Sequence, residues 1–311
     1  MNTQNVLLKK LTPLNVIFLI FMAIILSPQN TVAANETAPI VKTLRVNNYD
    51  MAYIEKGKGE PLILVHGSLS DYRTWLPLLS ELSENNHVIA VSLRHYYPEK
   101  WNGKGADLSL QQHADDLAVF IQALNVGPVN LLGHSRGGAV ALLTASKNPD
   151  LMRRLILADP APLSSMLDKT PEVQALKNIR TAKFKKVIEY YKQGDTDGGL
   201  KEFVNYIAGP ASWKNTPEVR RNNLRANAWT PISLLDDLET PFNCSNVRKI
   251  DIPLLLITGD HSAPIFGFMN SALKKCFIKS SVAIIADAGH MMFNANPSAF
   301  IFEVQDFIVP Q

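Results

Sequence analysis

The sequence is poor in cysteine, in charge of one sign and in long hydrophobic runs, and each shortage argues against a class of protein. Its 311 residues contain two cysteines, Cys244 and Cys276, and 31 lysine and arginine residues stand against 28 acidic ones. The spacing of the two cysteines fits no metal site, and neither lies in a nucleophile motif. The net charge of +3 is too small to indicate a nucleic-acid partner. No basic run is interleaved with aromatic residues, as a nucleic-acid groove would need.

One long apolar run is present, and it lies near the start of the sequence. Residues 16–26 are apolar and uncharged, they follow a pair of lysines, and small residues come next, ending with Ala33 and Ala34. This three-part pattern is typical of a secretory signal peptide and predicts cleavage after Ala33 or Ala34. The alternative is an uncleaved anchor, although the run is short against the about 20 residues that a spanning helix needs. We therefore interpret residues 1–34 as a signal peptide.

The mature chain is expected to be exported to the periplasm or secreted, without stable insertion in a membrane. No cysteine lies near the cleavage site, which argues against a lipid anchor, and no second long apolar run follows. In an exported protein Cys244 and Cys276 could form one disulfide, and the alternative is two buried free thiols. Nothing in the sequence indicates the oligomeric state.

Beyond the signal peptide, strand patterns alternate with helix patterns. The first two strand patterns, at residues 44–46 and 51–54, flank the turn signal Asn47-Asn48 and are typical of an antiparallel hairpin. Six further apolar runs predict strands, and the continuous run at residues 61–65 is typical of a strand buried in a parallel sheet. They cover residues 61–65, 87–92, 129–132, 155–158, 254–257 and 282–285. Helix patterns follow most of them, which predicts an α/β fold whose mostly parallel sheet is flanked by helices.

The alternation stops between residues 162 and 241. This stretch carries three helix patterns, separated by proline and glycine, and it predicts a helical cap inserted after the sixth strand. The basic segment at residues 183–186 is interpreted as a solvated outer face, with a membrane-contacting lid as the alternative. The predicted organisation is a core in two parts, residues 35–161 and 242–311, with the cap at residues 162–241 between them.

The motif Gly133-His134-Ser135-Arg136-Gly137 lies directly after a predicted strand and before a predicted helix. In that context G-x-S-x-G predicts a nucleophilic serine on a strained strand-to-helix turn. Small residues on either side let the neighbouring backbones approach each other. The helix that begins there directs its amides and the positive end of its dipole at the site. We therefore predict Ser135 as the nucleophile.

A serine hydroxyl needs a base to take its proton, and the base needs a carboxylate to orient it. His290 follows the last apolar strand and a glycine near the C-terminus, and we predict it as the base among the seven histidines. Asp260 follows the strand at residues 254–257 and is the predicted acid. Asp159, directly after the strand at residues 155–158, is the competing candidate, for which we favour a structural or pocket role.

These residues and their order, Ser then Asp then His, resemble the α/β-hydrolase superfamily, over residues 44–307. His66-Gly67-Ser68, after the third strand, is similar to the HG oxyanion loop of that family. The resemblance implies an oxyanion hole made by the backbone N–H groups of Ser68 and Arg136. It also implies that neither a metal ion nor an organic cofactor is needed.

Within the superfamily the chain is most similar to the capped branch of epoxide hydrolases, haloalkane dehalogenases, haloperoxidase-like esterases and carbon–carbon bond hydrolases. Epoxide hydrolases and dehalogenases carry aspartate where this chain has Ser135, which argues against both activities. The loop after the fourth strand also departs from the family pattern. Arg94 is expected to keep a structural salt bridge there, whereas His95, Tyr96 and Tyr97 are expected to change the pocket.

The predicted function is that of an exported serine hydrolase, a carboxylesterase or lactonase. It would cleave an ester-like bond of a small molecule through an acyl-enzyme on Ser135. Trp213 and Trp229 of the cap are candidates for lining the site, or else belong to the core of the cap. A carbon–carbon bond hydrolase or perhydrolase-like enzyme on the same triad is an alternative. A non-catalytic binding protein is another, although such a protein has no need of a complete triad.

Overall fold

The computed structural model describes residues 39–105 and 107–309, so the predicted signal peptide at residues 1–34 lies outside the described residues. Eight strands form one sheet. They are β1 (Lys42–Val46), β2 (Tyr49–Lys56), β3 (Glu60–Val65), β4 (Asn86–Val91), β5 (Val129–His134), β6 (Met152–Ala158), β7 (Leu254–Gly259) and β8 (Ser280–Ile285).

The strand order across the sheet is β1-β2-β4-β3-β5-β6-β7-β8. β1 and β2 form the predicted antiparallel hairpin, and its turn residues Asn47 and Asn48 both have positive φ, at 43° and 62°. β2 is also antiparallel to β4, and every pairing from β4 to β8 is parallel. The carboxyl ends of six parallel strands therefore meet at one edge of the sheet, where α/β folds bind their ligands.

Twelve α-helices accompany the sheet in the described part of the chain. They are α1 (Leu76–Leu82), α2 (Leu110–Leu124), α3 (Arg136–Lys147), α4 (Pro171–Lys192), α5 (Thr196–Ala208), α6 (Ser212–Asn215), α7 (Glu218–Arg225), α8 (Leu234–Leu238), α9 (Cys244–Val247), α10 (Pro264–Cys276), α11 (Met292–Ala295) and α12 (Pro297–Ile308).

Alternate residues of the central strands supply two separate hydrophobic cores, one on each face of the sheet. Ile63 and Val65 of β3 pack with α2, α3 and α10, whereas Leu62 and Leu64 pack with α1, α11 and α12 on the other face. Because successive side chains of a strand point to opposite faces, a strand that is covered on both sides must be apolar throughout. This explains why these strands are unbroken apolar runs in the sequence.

The segment between β6 and β7 is helical, from α4 to α9. Helices α4, α5 and α8 share a third hydrophobic core around Phe184, Val187 and Leu200, and Leu69 from the loop after β3 joins it. These observations confirm the predicted fold class, a mostly parallel sheet flanked by helices with a helical insertion after the sixth strand.

A disulfide joins Cys244, the first residue of α9, to Cys276, the last residue of α10, across a Cα–Cα distance of 5.2 Å. This settles in favour of a disulfide the alternative that the sequence left open. Among the described residues, no helix combines the length and the apolar character needed to cross a membrane.

Candidate active site

Ser135, the predicted nucleophile, lies on the turn between β5 and α3. Its backbone has φ 53° and ψ −121°, and its N–H donates to the carbonyl of Ala158 over 3.0 Å. A Cβ on Gly133 would lie 2.4 Å from the carbonyl oxygen of Gly137, and a Cβ on Gly137 would lie 2.4 Å from that of His66. The glycines of the motif are therefore required by close backbone contacts, and the strained turn holds Ser135 at the edge of the sheet.

His290, the predicted base, is 4% exposed and faces the same cavity as Ser135. The ring of Phe266, on α10, stacks on its imidazole with centroids 4.2 Å apart. His134 donates from Nε2 to the backbone carbonyl of His290 over 2.9 Å. Burial, followed by the nearby charge of His290, lowers the pKa of His134 well below its ordinary value. His134 is therefore a neutral positioning residue that fixes the backbone of the base.

The carboxylate that contacts His290 is that of Asp159, directly after β6. Its Oδ2 lies 3.2 Å from Nδ1 of the imidazole. The side chain is fully buried, and it also accepts hydrogen bonds of 2.6 Å from the hydroxyls of Thr258 and Ser262. With Nδ1–H donating to Asp159, the Nε2 atom of His290 is left as the basic nitrogen.

The prediction that Asp260 orients His290 is wrong. The side chain of Asp260 is 37% exposed and accepts backbone N–H bonds of 3.0 Å from Asp287 and Ala288. These two backbone bonds, that from Ala288 first, lower the pKa of the Asp260 carboxyl. Asp260 thus stabilises the turn that precedes His290 rather than contacting the imidazole.

The register of the sheet explains the difference between the two aspartates. Ala158 of β6 lies level with Ile257 of β7, so Asp159 emerges at the level of Thr258, two residues before Asp260. At about 3.3 Å per residue, Asp260 lies beyond the level at which the imidazole is held. The sequence identifies Asp159 as an aspartate directly after a buried strand. It does not show how β6 and β7 are aligned, so the local pattern cannot tell which aspartate reaches the imidazole.

The loop after β3 is held by His66. Its Nδ1 bonds the carbonyl of Gly67 over 2.8 Å, and its Nε2 accepts the N–H of Leu93 over 3.0 Å. Burial lowers the pKa of His66 to about 4, so the ring is neutral with its proton on Nδ1. The loop brings Ser68, a predicted oxyanion donor, to the cavity that Ser135 lines.

Arg136 is the first residue of α3, and its backbone N–H is one of those that have no acceptor within the helix. Arg136 and Ser68 line one small chamber with Ser135. The guanidinium of Arg136 is 2% exposed and pairs with the cap residue Asp237, with Nε 2.7 Å from Oδ2. It also bonds Nδ1 of His113. Arg136 therefore presents its backbone to the site while its side chain binds the cap.

The comparisons with known proteins agree with this fold. The model of the alpha/beta hydrolase family matches residues 62–304. The chain belongs to this family. Among curated proteins it is similar to the (E)-2-((N-methylformamido)methylene)succinate hydrolase of Acinetobacter baylyi, at 37% identity over 117 residues, which cover 37% of this chain and 44% of that protein. That match spans less than half of the relative.

Two further similarities cover most of the chain. The soluble epoxide hydrolase of Corynebacterium sp. is 25% identical over 288 residues, 85% of this chain and 96% of that protein. The solved structure of a thermophilic esterase from Thermogutta terrifontis has a TM-score of 0.69 at 23% identity, with 88% of this chain and 98% of that one covered. Family membership and these relatives identify the chain as a hydrolase of the α/β-hydrolase fold.

Two chambers of this hydrolase meet at Ser135, and Ser68 lines both. The larger has a volume of about 350 Å³ and also contacts His290, and the smaller has about 30 Å³. Ligand sites of small molecules begin at about 300 Å³, so the larger chamber suits a small or medium substrate. Among the described residues, no group of three or more histidine, cysteine or acidic side chains is arranged to hold a metal ion.

Several side chains that were expected at the pocket lie elsewhere. Neither chamber is lined by Trp213, which packs against the cap core, or by Trp229, which is 42% exposed. His95 pairs with Glu99 and Asp107. Among the described residues that line the two chambers, none is His95, Tyr96 or Tyr97. None of these three residues therefore lines the pocket directly, although the ring of Tyr97 packs on Arg73, which lines the larger chamber.

Arg94 has the salt bridge that was expected of it. Its Nε lies 2.7 Å from Oδ2 of Asp116, on α2, and its NH1 lies 3.2 Å from Asp107. The first contact holds the loop after β4 against α2, and the second holds it to the segment that precedes α2. The loop therefore has a structural role on the flank of the site.

Proposed function

We propose that the protein is a serine hydrolase that cleaves an ester-like bond, as a carboxylesterase or lactonase does, with Ser135, His290 and Asp159 as its triad. The observation that carries the proposal is the hydrogen-bonded pair of His290 and the buried Asp159, which faces the cavity lined by Ser135. A buried aspartate that fixes the tautomer of a histidine beside a strained serine is the arrangement that activates a hydroxyl.

The first half of the reaction forms the acyl-enzyme. The Ser135 hydroxyl passes its proton to Nε2 of His290 as Oγ bonds the carbonyl carbon of the substrate, and the carbonyl oxygen becomes an oxyanion. The backbone N–H groups of Ser68 and Arg136 stabilise that charge, and one such donor is worth about 10²–10³ in rate. The carbon–oxygen bond to the leaving alcohol then breaks, and the alcohol leaves with the proton from His290.

The second half releases the acid. A water molecule gives a proton to Nε2 of His290 as its oxygen bonds the acyl carbon, and the bond to Oγ of Ser135 breaks when the proton returns to that oxygen. Asp159 stays ionised throughout and stabilises the imidazolium that forms in each half. Thr258 and Ser262 support this role, because their hydroxyls donate to the carboxylate.

The similarity to a soluble epoxide hydrolase does not carry over to the reaction. A carboxylate nucleophile opens an epoxide through an alkyl ester, whereas Ser135 would form an ordinary acyl ester. The relative from Acinetobacter baylyi is named for a substituted succinate, which supports a small acyl substrate for the present chain.

Hydrolysis of p-nitrophenyl esters from acetate to palmitate tests the proposal, with Ser135→Ala as the matched control. We expect the wild type to hydrolyse the short chains, because a chamber of about 350 Å³ does not hold a palmitoyl chain. The variant should lose this activity. A fluorophosphonate probe should label the wild type at Ser135 and leave the variant unlabelled. A wild type that neither cleaves an ester nor takes up the probe would contradict the serine-hydrolase proposal.

We also propose that the protein is exported, with a signal peptide at residues 1–34. The pattern of the sequence before Ala34 and the disulfide between Cys244 and Cys276 support this proposal, since disulfides persist in oxidising compartments. Expression of the full chain in a bacterium and N-terminal sequencing of the exported fraction provide the test. A new N-terminus after Ala33 or Ala34 is expected, and an intact N-terminus in the cytoplasm would contradict it.

A further inference from the structure

Each of the two chambers that meet at Ser135 contains an arginine from the cap. Arg220, on α7, lines the larger chamber, and Arg180, on α4, lines the smaller. Both side chains are partly buried. The cap therefore contributes one arginine to each of the two chambers that Ser135 lines.

These two arginines differ from Arg73, Arg94 and Arg136, the buried arginines near the site, in having no carboxylate partner. Arg73 pairs with Asp71 at 2.8 Å, and Arg94 and Arg136 pair with Asp116 and Asp237 at 2.7 Å. Within the described part of the chain, no acidic side chain forms an ion pair with Arg180 or Arg220. Burial lowers the pKa of both, that of Arg180 to about 10.

The other charged groups of the larger chamber compensate one another. Asp71 is the acidic residue among those that line it, and its Oδ2 accepts bonds from Arg73 over 2.8 Å and from Nδ2 of Asn227 over 2.7 Å. Arg73 therefore neutralises the charge of Asp71, and the positive charge of Arg220 has no counter-charge in the chamber. In the smaller chamber Arg136 and Asp237 form a pair, which leaves the charge of Arg180 in excess.

An arginine that is withdrawn from water without a counter-ion is costly unless a ligand supplies the charge. Arg180 has one hydrogen bond that offsets part of this cost, from NH1 to the carbonyl of Pro162 over 2.9 Å. Arg220 lines a chamber of about 350 Å³, which is large enough to admit an anionic group beside the scissile bond. A planar fork of N–H donors matches a carboxylate in two parallel hydrogen bonds.

We propose that the substrate of this site carries a carboxylate, which Arg220 binds in the larger chamber while Ser135 attacks the ester-like bond. Arg180 supplies a second positive charge in the smaller chamber. One excess positive charge in the chamber matches the single negative charge of a carboxylate better than the two charges of a phosphate monoester. This inference rests on the proposed function and names the class of substrate for the same site.

The test measures how small diacids protect Ser135 from a fluorophosphonate probe. Succinate, glutarate and adipate are compared with their neutral diamides, which have nearly the same shape and lack the charge. The variants are Arg220→Gln, Arg220→Lys and, as the matched control, Arg248→Gln, which removes the same charge from an exposed position outside both chambers. Calorimetric titration of glutarate into each protein gives a binding readout that does not depend on the reactivity of Ser135.

In the wild type we expect the best diacid to protect at a concentration about 10- to 100-fold lower than its diamide, the usual size of a charged hydrogen bond. Arg220→Gln should abolish this preference, Arg220→Lys should restore part of it, and Arg248→Gln should retain it fully. Equal protection by diacids and diamides, or a preference that survives Arg220→Gln, would overturn the inference while Ser135 still reacts.

The two proposals can fail separately. If Ser135 does not react with the probe but glutarate binds the wild type better than glutaramide and loses that preference in Arg220→Gln, the carboxylate site stands and the serine-hydrolase proposal falls. If glutarate binds no better than glutaramide in the titration, the carboxylate site falls whatever Ser135 does. Where Ser135 is reactive, kinetics on monomethyl glutarate and methyl glutaramate provide the same comparison between a charged and a neutral substrate. We expect a higher KM for the neutral ester.

Discussion

Asp159 is fully buried at the end of β6, and three side chains surround its carboxylate. Thr258 and Ser262 donate hydroxyl hydrogens to it, and His290 approaches through Nδ1. A carboxylate in such a position accepts hydrogen bonds at both oxygens, so it can stay charged without contact with water. The acid of the proposed triad is thus the most enclosed charged group of the site.

At the scale of single residues, the two candidate acids can be separated by one pair of variants. Asp159→Asn should lower kcat on p-nitrophenyl acetate by about 10⁴-fold, because an amide beside Nδ1 favours the wrong tautomer of the base. Asp260→Asn should change kcat only by a small factor, because its amide oxygen can still accept the N–H groups of Asp287 and Ala288.

The measurement is kcat for both variants beside the wild type, with thermal unfolding midpoints to confirm that each is folded. If Asp260→Asn lost as much activity as Asp159→Asn, the contact between Asp159 and His290 would not describe the working enzyme. The original expectation from the sequence would then be the correct one.

At the scale of elements, the unit that holds Ser135 is a strand, a turn and a helix packed backbone to backbone. Gly137 lies in the first turn of α3, and a Cβ there would lie 2.4 Å from the carbonyl oxygens of Val65 and His66. Gly267 lies on the outer face of α10, and apart from its chain neighbours and the backbone of its own helix no atom is within 4 Å of the Cβ it would carry. Both glycines are in helices, and they differ in whether a Cβ would meet another part of the backbone. Substituting each by alanine therefore gives a matched comparison.

Gly137→Ala should destabilise the fold by about 1–3 kcal/mol or more, because the backbone of β3 must move to admit the methyl group. Gly267→Ala should stabilise it by up to about 1 kcal/mol, because alanine is the better helix former. Urea unfolding of both variants measures the difference. Equal effects of the two substitutions would show that β3 and α3 are not packed as closely as described.

The disulfide connects the end of the cap segment to the helix that carries Phe266. Reduction, or the double substitution Cys244→Ser with Cys276→Ser, should lower the free energy of unfolding by about 3–4 kcal/mol, since the bond closes a loop of 32 residues. Unfolding curves with and without a reductant give the value, and the double variant should not respond to the reductant. A wild type that is equally stable in both conditions would contradict a bond that constrains the unfolded chain.

Most strands and helices were predictable from the sequence, but the alignment of neighbouring strands in the sheet was not. The apolar runs of β3 to β7 are forced by burial on both faces of the sheet, so the pattern indicates each strand directly. The level of Asp159 relative to Asp260 depends on how β6 pairs with β7, and these strands are separated by the whole cap. The lack of a carboxylate partner at Arg180 and Arg220 could not be predicted either. Burial and ion pairing depend on the tertiary structure, so an exposed arginine and an unpaired buried one look the same in a sequence.

At the scale of the whole molecule, the fold depends on histidines that are buried without charge. Burial lowers the pKa of His66 to about 4 and those of His113 and His134 well below their ordinary values. Between pH 6.5, the ordinary value, and pH 4, the unfolded chain binds protons at His66 that the folded chain does not. The free energy of unfolding therefore falls as the pH falls through this window.

Urea unfolding at pH 6.5, 6.0, 5.5 and 5.0 should show this loss. Each histidine contributes up to about 1.4 kcal/mol per pH unit, so the three together contribute up to about 4 kcal/mol per unit. His66→Gln should remove about a third of the slope, because glutamine can still donate to Gly67 and accept from Leu93 without titrating. A stability that is flat across the window would contradict the burial of neutral histidines.

The ion pair between Arg136 and Asp237 constrains the replacement of the cap by that of another protein. A grafted cap must bring a carboxylate to the place of Asp237, or Arg136 is left buried without its counter-ion at a cost of about 3–5 kcal/mol. The same loss would disturb the residue whose backbone is proposed to bind the oxyanion. Libraries of chimeric caps should therefore hold position 237 acidic, because that side chain supplies the counter-ion of a buried arginine of the core.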